Sequence, residues 1–398
     1  MLAVLDIIKC IKGALFLPIW HLQKLIKRDP YLWVIGSWSG QNYSDNTKFV
    51  YEYVLSNREN IKVVWITENI QVYDDLRGKG MPVCLSDSFE GKKMCMKAGF
   101  VFLSSGVGDV CMKYINGAKQ VWLWHGMPLK KIEADIPKKI STFKRFKTEI
   151  RRIFVPYELN RTYDFLLSSS DFFSPMIASA FKSDISKVHV LGSPRNDIFF
   201  VSGKKSLYVQ DIDMKFNSPI KLLYMPTFRD ANRSLNFFEN FDFSIDVFKN
   251  VLKKNNMVFL YKGHFYEENS DLNKNLFSYD RFSVVNSNVN VDTYQLLNEV
   301  DVLVTDYSSV YFDFILTKKP VILTPFDIED YVKYSRPLYF DYYDHMEGVK
   351  AKSWVELFSI LETKSYYPVS DDTVSKFNKY RNAGSSARVV DFIIRNEI

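Results

Sequence analysis

A histidine followed by glycine, and two adjacent serines just after an aspartate, are the residues of this sequence best suited to chemistry. Only five histidines occur in 398 residues, and two of them, His125 and His264, close short apolar runs: Gln120-Val-Trp-Leu-Trp-His-Gly126 and Met257-Val-Phe-Leu-Tyr-Lys-Gly-His264. An imidazole with an ordinary pKa of about 6.5 takes a proton from an attacking hydroxyl at neutral pH, so His125 reads as a general base. His264 reads as a group that steadies negative charge on a phosphate. Either one, taken singly, reads first as a hydrogen-bonded structural imidazole, and it is their pairing at two strand ends that points to chemistry.

The serines stand in Asp301-Val-Leu-Val-Thr-Asp-Tyr-Ser-Ser-Val310, a buried strand that stops at Asp306 and turns into a helix through Ser308 and Ser309. Unpaired N–H groups and the positive end of the dipole at a helix start can receive a pyrophosphate. The plainer alternative is an N-cap serine worth about 1 kcal/mol. Thr305 and Asp306 belong to the same strand end. Leu223-Tyr-Met-Pro-Thr-Phe-Arg-Asp230 brings the Thr227 hydroxyl and the Arg229 guanidinium, which grips phosphate in two places unless a surface ion pair occupies it. Lys262 lies in the His264 loop. Gly192-Ser-Pro-Arg-Asn-Asp197 follows another apolar run, so Ser193, Arg195 and Asn196 either hold donor or acceptor phosphate or only make a tight turn. Gly126 and Lys130 fall on the acceptor side with His125.

Groups so far apart in sequence need a scaffold that brings strand ends together. Apolar runs at 32–38, 61–67, 82–85, 99–103 and 120–124, then 165–169 and 187–191, read as buried parallel strands, with helices at 45–58, 88–98 and 171–181 between them. After a polar connector at about 203–218 the alternation resumes, with strands at 220–224, 257–261, 282–285, 301–305 and 320–323. Helices fit 243–254, 292–300 and 308–316, and 353–398 reads as all helical. The pattern predicts an α/β protein of two Rossmann-like halves facing a central cleft: a helical extension at 1–30, an acceptor-side domain at 31–205, and a donor-binding domain with a helical tail at 215–398.

Composition narrows the class. Hydrophobic residues at 47% and charged residues at 25% suit a folded globular chain. Cys10, Cys84, Cys95 and Cys111 form no CxxC pair, which argues against structural zinc and a disulfide framework. The net charge is +6, and Lys130, Lys131, Lys138, Lys139, Lys144, Arg145, Lys147, Arg151 and Arg152 crowd one stretch, which either seeks phosphate-rich partners or is a solvated helix face. No nucleic-acid-binding signature accompanies it, and no HExxH, Walker A or GxSxG motif occurs. The first 20 residues are apolar but carry Asp6, Lys9 and Lys12, so they read as an in-plane amphipathic helix on the inner face of a membrane, or as a helix packed on its own domain.

Four motifs in order, Trp124-His-Gly-Met-Pro-Leu-Lys130, Gly192-Ser-Pro-Arg-Asn-Asp197, Tyr224-Met-Pro-Thr-Phe-Arg-Asp230 and Thr305-Asp-Tyr-Ser-Ser-Val-Tyr-Phe-Asp313, resemble the CDP-glycerol glycerophosphotransferase family of teichoic-acid and capsule polymer synthases. The resemblance implies a GT-B fold, peripheral attachment to the cytoplasmic face of the bacterial plasma membrane, and transfer of glycerol phosphate from CDP-glycerol to a lipid-linked or polyanionic acceptor with release of CMP. It implies His125 as base, His264 as second essential histidine, and Thr227, Arg229, Ser308, Ser309 and Asp327 around the donor. Where the family pattern has proline after the second histidine, this chain has Phe265. The expected metal set is empty, with Mg2+, where present, carried on the donor's diphosphate. CDP-ribitol or a nucleotide sugar as donor, and a non-catalytic binding protein of the same fold, are the rival expectations.

Overall fold

The computed structural model describes residues 2–137, 141–159, 161–227, 238, 240–263, 276, 278–286, 289 and 291–398. Two parallel sheets organise them. The first runs β3-β2-β1-β4-β5-β6-β7, from β1 (Asp29–Ile35), β2 (Lys62–Thr67), β3 (Val83–Leu85), β4 (Ala98–Leu103), β5 (Lys119–Trp122), β6 (Phe165–Ser168) and β7 (Val188–Val190). The second runs β10-β9-β8-β11-β12-β13, from β8 (Ile220–Met225), β9 (Met257–Tyr261), β10 (Phe282–Val284), β11 (Val302–Thr305), β12 (Val321–Leu323) and β13 (Val349–Lys350). This is the expected pair of Rossmann-like halves.

Strands covered on both faces must be apolar at every position, which is why Leu32-Trp-Val-Ile35 is buried throughout and lies in register with Lys62-Val-Val-Trp65. The strand order reverses between β1 and β4 in the first sheet and between β8 and β11 in the second. At such a switch point the connections leave in opposite directions and open a crevice beyond the carboxyl ends of the strands. His125 follows β5, and Thr227 and Ser308 follow β8 and β11. The topology therefore explains why the chemical residues sit where apolar runs end.

Three expectations change. The connector at 203–218 contains a helix, Leu207–Phe216, which Ser206 caps by accepting the Val209 N–H at 3.3 Å and which buries Val209 and Ile212. The helix expected at 308–316 is only Val310–Phe314, continued by a 3-10 turn over Ile315–Thr317. The tail is split between the halves. Trp354–Thr363 packs on the second sheet through Trp354, Leu357, Phe358 and Leu361. The last helix, Ser385–Glu397, buries Val389, Val390 and Ile393 against Trp33, Phe102 and Phe165 of the first sheet. Asp197 fixes that return, its carboxylate accepting the N–H groups of Gly384, Ser385 and Ser386 at 3.1, 2.7 and 2.9 Å.

The apolar core runs across the junction, where Phe173 of the first half meets Phe312 of the second at 4.9 Å between ring centres. At the other end, the N-terminal helix Leu2–Leu22 lies against the helix Thr142–Phe154. Gly13 permits that contact, because a Cβ there would fall 2.2 Å from the Phe154 carbonyl oxygen. Phe16 packs edge-on against Tyr114 and Tyr157, so one side of the helix is docked on its own domain.

Candidate active site

The loop after β5 is tightly folded: Trp124 has φ 54° and Gly126 φ 152°. Asn46, near the start of the helix Asp45–Asn57, holds it from behind, donating from Nδ2 to the carbonyls of Leu123 at 3.1 Å and Trp124 at 2.9 Å. The His125 ring lies between Trp38 and Trp124, at 5.1 and 4.1 Å between ring centres. Its Nδ1 is 3.1 Å from the Ser104 carbonyl oxygen. A carbonyl only accepts, so Nδ1 carries the hydrogen and Nε2 presents a lone pair. Burial lowers the His125 pKa below the usual 6.5, with the Asp45 carboxylate and the Ser104 hydrogen bond offsetting part of that drop. A neutral, oriented imidazole is the form a general base needs.

Ser104 is itself held. The Asp109 carboxylate accepts the N–H groups of Ser39, Ser104 and Ser105, each at 2.7 Å, and is fully buried. Asp109 thus folds the loop after β4 into the shape that orients His125. Asp109 and Asn46 were missed by sequence reasoning. The available signal was the strand-end segment Leu103-Ser-Ser-Gly-Val-Gly-Asp109, which obeys the same positional rule as the loops that were found.

Across the junction, the donor-side residues divide by task. Thr305 donates its hydroxyl to the Met225 carbonyl at 2.6 Å, and Asp306 Oδ1 accepts the N–H groups of Thr227 at 2.8 Å and Tyr307 at 2.5 Å. Both side chains are fully buried, and through these bonds Thr305 and Asp306 stitch the ends of β8 and β11 together. Asp327 accepts the Tyr307 hydroxyl at 3.1 Å and steadies the same turn. Ser308 and Ser309 remain half-buried at the mouth of the crevice. Because the helix behind them is five residues long, what they offer is local N–H groups and hydroxyls with little dipole.

Gly126 shows that the two sides meet. A Cβ at this position would lie 2.5 Å from Ser309 Oγ and 3.4 Å from Arg195 Nη2, so the histidine loop of one half presses directly on the serine turn of the other. Lys262 follows β9 directly, next to the end of β8, and its N–H donates to the Tyr224 carbonyl. Lys130 pairs through its backbone with Leu338 and sets its ammonium 5.9 Å from the Tyr331 ring centre.

The Gly192–Asp197 motif is not a phosphate loop in the crevice. Ser193, Arg195 and Asn196 are all buried, and Arg195 is clamped between Asp45 Oδ1 and Asp313 Oδ2, each at 2.7 Å. A guanidinium neutralised by two carboxylates has no fork left for phosphate. Arg229 and His264, with Lys138 and Lys139 of the basic stretch, lie outside the described residues.

A family model described as CDP-glycerol:poly(glycerophosphate) glycerophosphotransferase matches residues 19–395. The chain belongs to that family. Among relatives of this glycerophosphotransferase family member is a teichoic acid glycerol-phosphate transferase of Staphylococcus aureus, 27% identical over 97% of this chain and 98% of the relative. A teichoic acid poly(glycerol phosphate) polymerase of Staphylococcus epidermidis is 28% identical over 79% of this chain but only 43% of its own length. A teichoic acid poly(ribitol-phosphate) polymerase of Bacillus spizizenii is 29% identical over 91% of this chain and 56% of its own length. The solved wall teichoic acid polymerase TagF shares the fold, with a TM-score of 0.73, 23% identity, and coverage of 99% of this chain and 98% of that one.

Proposed function

We propose that this protein transfers glycerol phosphate from CDP-glycerol to the terminal hydroxyl of a lipid-linked or polymeric acceptor and releases CMP. The observation that carries the proposal is His125, tied through Nδ1 to the Ser104 carbonyl, in a loop whose next residue, Gly126, abuts Ser309 across the junction. The acceptor hydroxyl attacks the glycerol-linked phosphorus, its proton passes to Nε2, the new O–P bond forms, and the bond to CMP breaks. CMP departs as a phosphate that needs no proton at neutral pH, its second pKa being about 6. One base therefore suffices, and the rest of the site has to place two reactants in line and spread charge. Ser308, Ser309 and Lys262 serve the donor side, with Thr227 shaping it, and Arg229 and His264 are assigned there on motif alone.

Among the described residues no group of three or more His, Cys, Asp or Glu side chains could hold a metal ion. Magnesium, where used, is proposed to arrive on the donor's diphosphate. Purified protein supplied with CDP-glycerol, CDP-ribitol or UDP-sugars, each with and without membrane extract, should release CMP only with CDP-glycerol plus extract. CMP from CDP-ribitol alone would transfer the proposal to the ribitol members of the family, and release from none would remove it.

The acceptor is proposed to be reached at an anionic membrane surface. Ile8, Ile11, Leu15, Ile19 and Leu22 recur every three or four residues along the N-terminal helix and stay exposed, Leu15 at 76%. Phe143, Phe146 and Ile153 are exposed on the adjoining helix, with Arg145 and Arg152 near them. No helix among the described residues is long and apolar enough to cross a membrane. Two amphipathic helices side by side, apolar rows outward and cations beside them, suit in-plane docking. Vesicles containing phosphatidylglycerol should sediment the protein, and Leu15→Glu with Phe146→Glu should weaken that partition about a hundredfold or more, since each lost apolar side chain removes about 1.5–3 kcal/mol of burial. Equal sedimentation of the double variant would sink the docking surface.

A further inference from the structure

The Arg195 cluster is a deeply buried charged group at the junction, and its guanidinium is held by carboxylates rather than offered to a phosphate. Its parts come from both halves. Arg195 is 2% exposed, with Nη1 on Asp45 and Nη2 on Asp313. Asn196 Nδ2 donates to the other oxygen of Asp313 at 2.9 Å, and the Tyr294 hydroxyl donates to Asp313 at 3.3 Å. The guanidinium also lies 4.8 Å from the centre of the Tyr294 ring.

We infer that Arg195 is a positioning residue: it sets the register of the two halves so that the His125 loop, through Gly126, meets the Ser308–Ser309 turn. This rests on the transferase reading above. The junction around it is largely aromatic and aliphatic, and apolar contact is non-directional, so sliding by a fraction of an ångström costs little. A forked cation between two carboxylates tolerates no such slide. Both carboxylates stand within a turn of the groups that matter. Asp45 begins the helix whose Asn46 holds the His125 loop, and the Arg195 N–H donates to Asn46 Oδ1 at 3.1 Å. Asp313 lies on the five-residue helix that Ser309 opens. Through one side chain the loop of the base and the serine turn share a fixed spacing. Buried ion pairs add little stability over apolar packing of equal volume, so specifying an arrangement is the use this cluster serves.

Arg195→Lys and Asp313→Asn test the inference, with CMP release, thermal melting and amide hydrogen exchange measured on each. A lysine cannot span both carboxylates, and misplacement by about 1 Å costs on the order of a hundredfold in rate, so kcat should fall by that factor. KM for the CDP donor should stay within about threefold, because the residues proposed for the donor all belong to the second half. Exchange should accelerate together at the His125 loop and the Ser308–Ser309 turn while the sheet strands keep their protection. A merely structural role predicts less folded protein with unchanged kcat per folded molecule and uniform loss of protection, and either result in a folded variant overturns the inference. Should wild-type protein release no CMP, the transferase reading fails by itself, and the paired change in exchange still decides whether Arg195 couples the two loops.

Discussion

Glutamine at position 125 is expected to lower kcat about a thousandfold, in the middle of the range for loss of a positioned general base. Glutamine can still donate to the Ser104 carbonyl and fill the space between Trp38 and Trp124, so the loop survives while the lone pair of Nε2 is gone. The pH dependence gives an independent check. Burial lowers the His125 pKa below 6.5, so the neutral base is present at pH 7 and the rate falls only when pH drops through that lowered value. The unfolded chain takes up the same proton at a higher pH than the folded one, so protonation favours unfolding and stability falls as pH drops below about 6.5. In His125→Gln the acid limb of kcat attributable to this group should vanish, and the part of acid destabilisation that His125 causes should vanish with it. An unchanged acid limb in the variant would mean that another group is the base.

Much of the scaffold is legible in the sequence because parallel strands buried on both faces must be continuous apolar runs. That requirement picks out β1 through β12 from Leu32-Trp-Val-Ile35 to Val321-Ile-Leu323. It is blind to β13, two half-buried residues with no run to read, and to the helix Leu207–Phe216, whose buried face is little more than Val209 and Ile212 within a polar stretch. Which sheet a helix covers is a tertiary choice. Val389, Val390 and Ile393 would suit either half, and the Asp197 carboxylate capping the helix start accompanies the return to the first.

Residue type and strand-end position single out His125 and Ser309, and the structure brings their two loops together. Type fails where burial redirects a side chain. Arginine beside a tight turn suggests phosphate, yet Arg195 is enclosed with Asp45 and Asp313, and neither partner is near it in sequence. The Thr305 hydroxyl and Asp306 Oδ1 likewise bond to Met225, Thr227 and Tyr307, contacts that residue type alone does not announce. What the sequence misses are the supports, Asn46 and Asp109, because a residue that acts by holding another carries no chemical signature of its own.

The second large effect is expected from the smallest substitution, Gly126→Ala. Two costs combine. At φ 152° an L side chain is strained by about 1–3 kcal/mol, and the added carbon would sit 2.5 Å from Ser309 Oγ and 3.1 Å from Ser309 Cβ. Turning the Ser309 hydroxyl aside relieves the closest overlap but leaves its Cβ in the way, so the strained histidine loop and the serine turn move apart, and a displacement approaching about 1 Å lowers kcat on the order of a hundredfold. A second change separates overlap from strain. Ser309→Gly in the Gly126→Ala background removes both atoms that the new carbon strikes but leaves φ as it is, so kcat should recover about tenfold over Gly126→Ala while the loss of thermal stability persists. Ser309→Gly alone should act on KM for the CDP donor, because it takes away a hydroxyl and leaves the base in place. If the double variant stays as slow as Gly126→Ala, closure of the histidine loop on Ser309 is not what sets the rate, and the base must work from a looser junction than this one.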